Sequence, residues 1–257
     1  IYNIVVTGSS GTDREYQLHK GSVSIRHNGT TLKSYTIWRG ASYVGYPMES
    51  GSDSPYYTVI RKGSYYWAPV NYGATRVAQT GDGKNMKEAG IGNLYQWGRA
   101  DYTNYGGPTS SGPIGNSRPN NHVFYAAPNN PYNWYNSQDN TLWNGNNKGK
   151  NDPCPSGYRV PTIDELKSIG NATSWDSSGG LYKVNAENGY PQLILPAAGY
   201  RGYKNGQSSY QGDFGYYWSS SVSSGNTFAH YMVFTSATLS QTADSRAIGF
   251  PVRCIKE

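Results

Sequence analysis

Two cysteines, four histidines and a thin scatter of carboxylates are all that this 257-residue chain offers for covalent or metal chemistry. Cys154 and Cys254 lie 100 residues apart. They are either a disulfide or two free thiols. In an oxidising compartment a bond between them is expected, and closing so long a loop would add about 4–5 kcal/mol. His19, His27, His122 and His230 have no second His or carboxylate at a ligand spacing such as H-x-x-x-H, so no zinc or iron site is expected. His230 alternates with Tyr231 and Met232 and reads as a strand residue rather than a base. No G-x-S-x-G elbow supports acyl transfer. Glycoside hydrolysis needs two facing carboxyls. Asp101, Asp139, Asp152 and Asp213 lie in loop-like sequence, and their spacing pairs none of them. The run "DNTLWNGNNKGKND" (139–152) offers Asp139, Asn140, Asn144, Asn146, Asn147 and Asp152 as hard oxygen donors for calcium. Its spacing fits no EF-hand, and it reads first as turn-forming amides. The expectation is a binding protein rather than an enzyme, without a cofactor, with calcium the one metal left open.

The elements that would carry these residues are mostly short strands. Charged residues are 15% of the chain, against the usual quarter of a soluble domain, so amides and hydroxyls must carry its solubility. Asn28-Gly29, inside "SVSIRHNGTTLKSYTI", reads as a type I′ hairpin turn. "SYYWAPVNYGA" (64–74) reads as an aromatic strand ending in a turn, and a short helix is expected around Asn93 to Arg99. Residues 101–152 are rich in Gly, Pro and Asn but carry Trp134 and Trp143, which predicts a long ordered loop packed by its own side chains. One helix is strongly signalled. Thr162 is its N-cap, Glu165 completes a capping box, Asp164 suits the first turn, Leu166 and Ile169 form the inward stripe and Gly170 stops it. Beyond it "PQLILPAAGY", "YYWSSS", "HYMVFT" and "GFPVRCI" read as strands, with Cys254 in the last. The pattern is α+β: small antiparallel sheets with one or two helices and long ordered loops. Residues 1–60 read as an N-terminal β segment or add-on, and 61–257 as the main domain.

The 22 basic residues are scattered, with Arg61-Lys62 the only adjacent pair, so no nucleic-acid partner is expected. No apolar run approaches ~20 residues, so no membrane span is expected. The chain begins at Ile1 rather than Met, which fits a processed, secreted protein.

Six blocks occur in a telling order: "WAPVNYG" (67–73), "LYQWGR" (94–99), "NDPCPSGYRVPTIDEL" (151–166), "LILPAAGYR" (193–201), "GYYWSSS" (215–221) and "GFPVRCI" (249–255). Together they resemble the Fibrobacter succinogenes major paralogous domain family, which is similar to the C-type-lectin-like fold and its formylglycine-generating-enzyme branch. The resemblance covers about residues 60–257. It implies a disulfide between Cys154 and Cys254, and a C-type-lectin-like frame that displays variable loops. It also implies a secreted or surface location, often at the tip of a fimbria. The formylglycine branch needs a reactive cysteine pair, and here both cysteines fall on the structural positions. The calcium-ligand motifs of true C-type lectins are absent.

Trp67, Trp97, Trp143 and Trp218 lie in or beside these blocks and read as core. Ligand contacts are instead expected on the loops 202–213, 222–230 and 236–246. There Tyr203, Tyr210, Asn226, Phe228, His230 and Arg246 combine contact area with directional donors. The expected function is adhesion: reversible recognition of a glycan, or of a host or bacterial surface protein. Other pilin subunits are further candidate partners. The alternatives are a carbohydrate-binding accessory module of a polysaccharide-utilisation system, a glycoside hydrolase and a structural pilin.

Overall fold

A computed structural model describes residues 19–39, 42–43, 57–143, 147–185, 191–236 and 238–257. In chain order these form β1 (His19–His27), β2 (Thr30–Arg39), β3 (Ser42–Tyr43), β4 (Tyr57–Thr58), β5 (Ile60–Lys62), β6 (Tyr65–Trp67) and helix α1 (Glu88–Ile91). Then follow β7 (Tyr95–Gln96), β8 (Thr109–Ser111), β9 (Phe124–Ala126), β10 (Tyr158–Arg159) and helix α2 (Ile163–Lys167). The rest of the chain forms β11 (Ser174–Asp176), β12 (Leu181–Val184), β13 (Leu193–Pro196), β14 (Tyr200–Arg201), β15 (Ser208–Ser209), β16 (Gly215–Val222), β17 (Phe228–Phe234), β18 (Leu239–Ser245), β19 (Gly249–Phe250) and β20 (Ile255–Lys256).

The architecture is sheet-rich α+β. Among the described residues all named strand pairs are antiparallel except β8–β9. Among the described residues strands β1 and β2 pair only with each other, around Asn28 (φ +46°) and Gly29 (φ +77°), the two left-handed residues that a type I′ turn demands. The main body is already under way at Val59 and Ile60, both buried. The predicted strand "YNIVV" lies outside the described residues.

Strands β16, β17 and β18 form the central sheet, and it is covered on both faces. Tyr216, Trp218 and Tyr231 point into one apolar cluster, with Trp97, Trp134 and Trp143. Tyr217, Met232 and Phe234 point into the other, with Leu166 and Ile169 of the α2 region and with Trp67. Two-residue alternation in "YYW" and "YMVF" thus separates two cores. Trp67, Trp97, Trp143 and Trp218 are all fully buried, as expected for core.

Helix α2 starts as its sequence dictates. The Glu165 N–H reaches Thr162 Oγ1 at 3.3 Å, and the Thr162 N–H reaches Glu165 Oε2 at 2.7 Å, a complete capping box. The helix expected around Asn93 to Arg99 is not there. It lies earlier, at Glu88–Ile91, and Tyr95–Gln96 is instead a strand paired with Gly249–Phe250. Tertiary pairing overrides a weak local preference.

The end of the chain differs from expectation in the same way. "GFPVRCI" is two short strands in two sheets. Strand β19 lies between β14 and β7, and β20 between β10 and β6. Pro251 cannot donate to a ladder, and residues 251–254 cross between the sheets, with the Pro251 and Cys254 carbonyls accepting from the Trp218 and Ala68 amides. Cys254 therefore sits just before the final strand, bonded to Cys154 with Cα atoms 5.9 Å apart.

The long loop 101–152 is held by side chains acting on backbone. Trp134 Nε1 donates to the Trp97 carbonyl at 2.7 Å, and Asn151 Nδ2 donates to the Gly98 and Ser117 carbonyls at 2.9 and 2.6 Å. Arg201, fully buried, donates to the Asn104, Gly107 and Gly206 carbonyls and lies over the Phe124 ring at 4.5 Å. Buried guanidiniums do here what ladders do elsewhere: they satisfy loop carbonyls that water cannot reach. No helix among the described residues is long and apolar enough to cross a membrane.

Candidate ligand-binding site

A cleft of about 510 Å³ opens between the β14–β15 hairpin and the β17–β18 side of the central sheet. Its floor is aromatic: Tyr200, Tyr216, Tyr231 and Phe250. Its rim comes from the hairpin, through Tyr203, Lys204, Asn205 and Gln207. Asp244 of β18 is the one carboxylate in the lining.

Backbone geometry places the rim. Gly199 (φ +65°) turns the chain out of β13 into β14, where a Cβ would stand 2.3 Å from the Ser209 carbonyl oxygen. No other residue fits that position without strain. The hairpin is then clamped from beneath by Arg201 Nε on the Gly206 carbonyl at 2.8 Å, and Asn205 Oδ1 accepts the Gln207 N–H at 3.1 Å. Tyr203 also meets Tyr132 edge-on at 5.5 Å, and its carbonyl accepts the Ala127 N–H. The rim is therefore pre-shaped, which lowers the entropy lost on binding.

The floor rings brace one another. Tyr216 stacks on Phe250 at 5.1 Å, and Tyr200 stands across both, edge-on at 5.2 and 6.1 Å. Tyr231 contacts Phe250 at 4.7 Å. Burial pushes the Tyr231 hydroxyl up to about 12, helped by the nearby Asp244 charge, and raises Tyr216 and Tyr200 as well. At neutral pH all three remain protonated phenols, able to donate a hydrogen bond beside an apolar ring face. Aromatic faces flanked by amides and hydroxyls suit a polar ligand with apolar patches, as a sugar ring is.

Of the residues expected to bind, only Tyr203 lines this cleft. Tyr210 is half exposed, at φ +60°, and packs on Tyr200 and Phe214 outside it. Asn226 sits at φ +58° in the β16–β17 turn, and its carbonyl accepts from Gln138 Nε2 and Arg246 Nη2. Phe228 and His230 are part-buried in β17, and His230 Nδ1 has no hydrogen-bond partner among the described residues. Arg246 is a correction. It is fully buried, lies 4.4 Å over the Trp97 ring and donates to Asn140 Oδ1 at 2.5 Å, so it braces loops rather than facing a ligand.

Four of the residues weighed for calcium or acid–base chemistry have their oxygens engaged. Asp139 accepts from Thr141 and Lys150, and Asn140 from Arg246. Asp152 takes the Cys154 and Val160 amides, and Asp101 grips Arg99 at 2.8 and 2.6 Å. Asn144 and Asn146 lie outside the described residues.

Sequence reasoning missed Tyr200, Tyr216, Tyr231, Phe250 and Asp244 because four of them lie in strands or blocks taken as frame. The two-residue alternation of "GYYW" and "HYMVF" was the available signal: it puts Tyr216 and Tyr231 on one face. Comparison with protein-family models, with curated proteins and with solved structures finds no match for this chain.

Proposed function

We propose that this chain is a cell-surface adhesion domain with a C-type-lectin-like frame, secreted and disulfide-tied, that binds a glycan reversibly in the tyrosine cleft. One observation carries the reading: a pre-shaped cleft whose floor is four aromatic rings and whose rim is amides, a lysine and a tyrosine. The resemblance of the six sequence blocks to a family of surface proteins supports the location, and a fimbrial tip is the setting it suggests. A lining with a single carboxylate, Asp244, favours binding over glycoside hydrolysis, which uses a pair. The same cleft would serve an accessory module of polysaccharide uptake equally well.

The test is a glycan array with the full chain, repeated with Tyr203→Ala and with EDTA. Binding that Tyr203→Ala weakens and EDTA leaves alone is the expected result. Binding to surface proteins but to no glycan, unaffected by Tyr203→Ala, would move recognition away from the cleft. No binding at all would favour a structural subunit.

A further inference from the structure

Recognition of a neutral sugar does not require a carboxylate in the lining, yet the cleft has one in Asp244. Asp244 is part-buried, and among the described residues it has no ion-pair partner. Its Oδ1 accepts the Ser245 N–H at 2.6 Å. Three other sheltered carboxylates are matched by a guanidinium, Asp82 by Arg76, Asp101 by Arg99 and Glu165 by Arg159, and Asp176, which has no ion pair either, is held by the Thr80 and Ser178 hydroxyls and the Gly179 amide. Removing a carboxylate from water without a counter-charge is unfavourable, so an unpaired one inside a cleft calls for a cation from elsewhere.

Its surroundings suit that cation. Asp244 is close enough to Tyr200 and Tyr231 for its charge to help raise both hydroxyls. Aromatic faces beside a carboxylate attract ammonium groups through the ring quadrupole as well as through charge. Lys204, the other charged residue of the lining, has Nζ 5.9 Å from the Tyr203 ring centroid on the rim.

We propose that the cleft takes a saccharide bearing a protonated amine, with the ammonium seated against Asp244 and the rings of Tyr200 and Tyr231. This rests on the glycan reading and narrows it to amino sugars with a free amine. The amine would supply the missing counter-charge, while the sugar ring packs on the tyrosines and bonds to Asn205 and Gln207.

Calorimetric titration of the full chain with a glucosamine oligosaccharide and with its N-acetylated counterpart tests this. The free-amine form should bind at least about tenfold more tightly, and added salt should erode the difference. Asp244→Asn should abolish the preference; the asparagine Oδ1 can still accept the Ser245 N–H, so the fold is kept. Tyr203→Ala should weaken both ligands while leaving the preference intact. Equal binding of the two forms by the wild type would overturn the amine inference and leave glycan binding standing. Failure of both forms to bind would sink this inference, and a glycan array that is also silent would sink the cleft reading with it.

Discussion

The anchor around Cys154 and the tyrosine cleft are each built from a tight turn, a few aromatic rings and sheltered carboxylates, and they differ in what becomes of the charge. At the anchor, Asp152 accepts the Cys154 and Val160 amides at 2.9 and 2.8 Å, and Lys148 Nζ donates to the Pro155 and Tyr158 carbonyls at 2.8 and 2.7 Å. Glu165 takes both Arg159 amino groups and the Thr162 amide. These charged groups spend their hydrogen bonds on the anchor's own backbone and side chains. In the cleft, Asp244 has no ion-pair partner among the described residues, and four phenols line the cavity. Polar groups bonded to their own surroundings hold a frame, and a charge left without a counter-charge on a rigid support is available for recognition.

This contrast can be broken from the anchor side first. Reducing the Cys154–Cys254 bond, or replacing both cysteines with serine, should lower the unfolding free energy by about 4–5 kcal/mol, measured by urea denaturation with and without reductant. An unchanged midpoint would mean that the tie does not hold the frame.

The next effect is a dependence on pH. Burial, the dominant influence, pushes the Asp152 carboxyl up to about 6 despite its two amide donors. The folded state then binds a proton more tightly than the unfolded state does. Stability from this group is fully present below about pH 4 and is lost as pH rises through 6, by up to ~3 kcal/mol. Asp139 and Asp176, each held near 2 by hydrogen bonds, have the opposite slope, but only below about pH 4. Urea unfolding at pH 4 and pH 6.5 should show the decline in the wild type and a flatter profile in Asp152→Asn. A rise over that interval would contradict it.

Thr162→Ala removes half of the capping box and should cost about 1 kcal/mol, visible in thermal unfolding. The smallest stability effect belongs to the cleft. Tyr203→Ala loses the edge-on contact with Tyr132 and should cost about 0.5 kcal/mol, while glycan binding falls by about tenfold. If Tyr203→Ala destabilised the chain as much as Thr162→Ala does, the division between frame and site would blur.

Much of the anchor could be read directly. The capping box needs only Thr162 and Glu165 three residues apart, and the Asn28-Gly29 turn needs only two adjacent residues that tolerate positive φ. The site could not be read this way. Tyr200, Tyr216, Tyr231, Asp244 and Phe250 come from five strands, β14 and β16 to β19; the four rings look like ordinary strand or frame residues on their own, and Asp244 lies in a stretch that reads as loop. Arg246 failed as a ligand candidate for the same reason. Its sequence context is a loop, but the packing of residues 139–140 and of Asn226 around it makes it a buried brace.

Sequence by itself determined the features that depend on neighbours within one turn or one pleat: the helix cap, the hairpin turn, the alternation of tyrosines and the presence of two cysteines. The tertiary structure brought the two cysteines together and decided which rings and charges meet, because strand order and sheet crossing set those distances. A carboxylate is left unpaired or matched according to what the rest of the chain brings beside it.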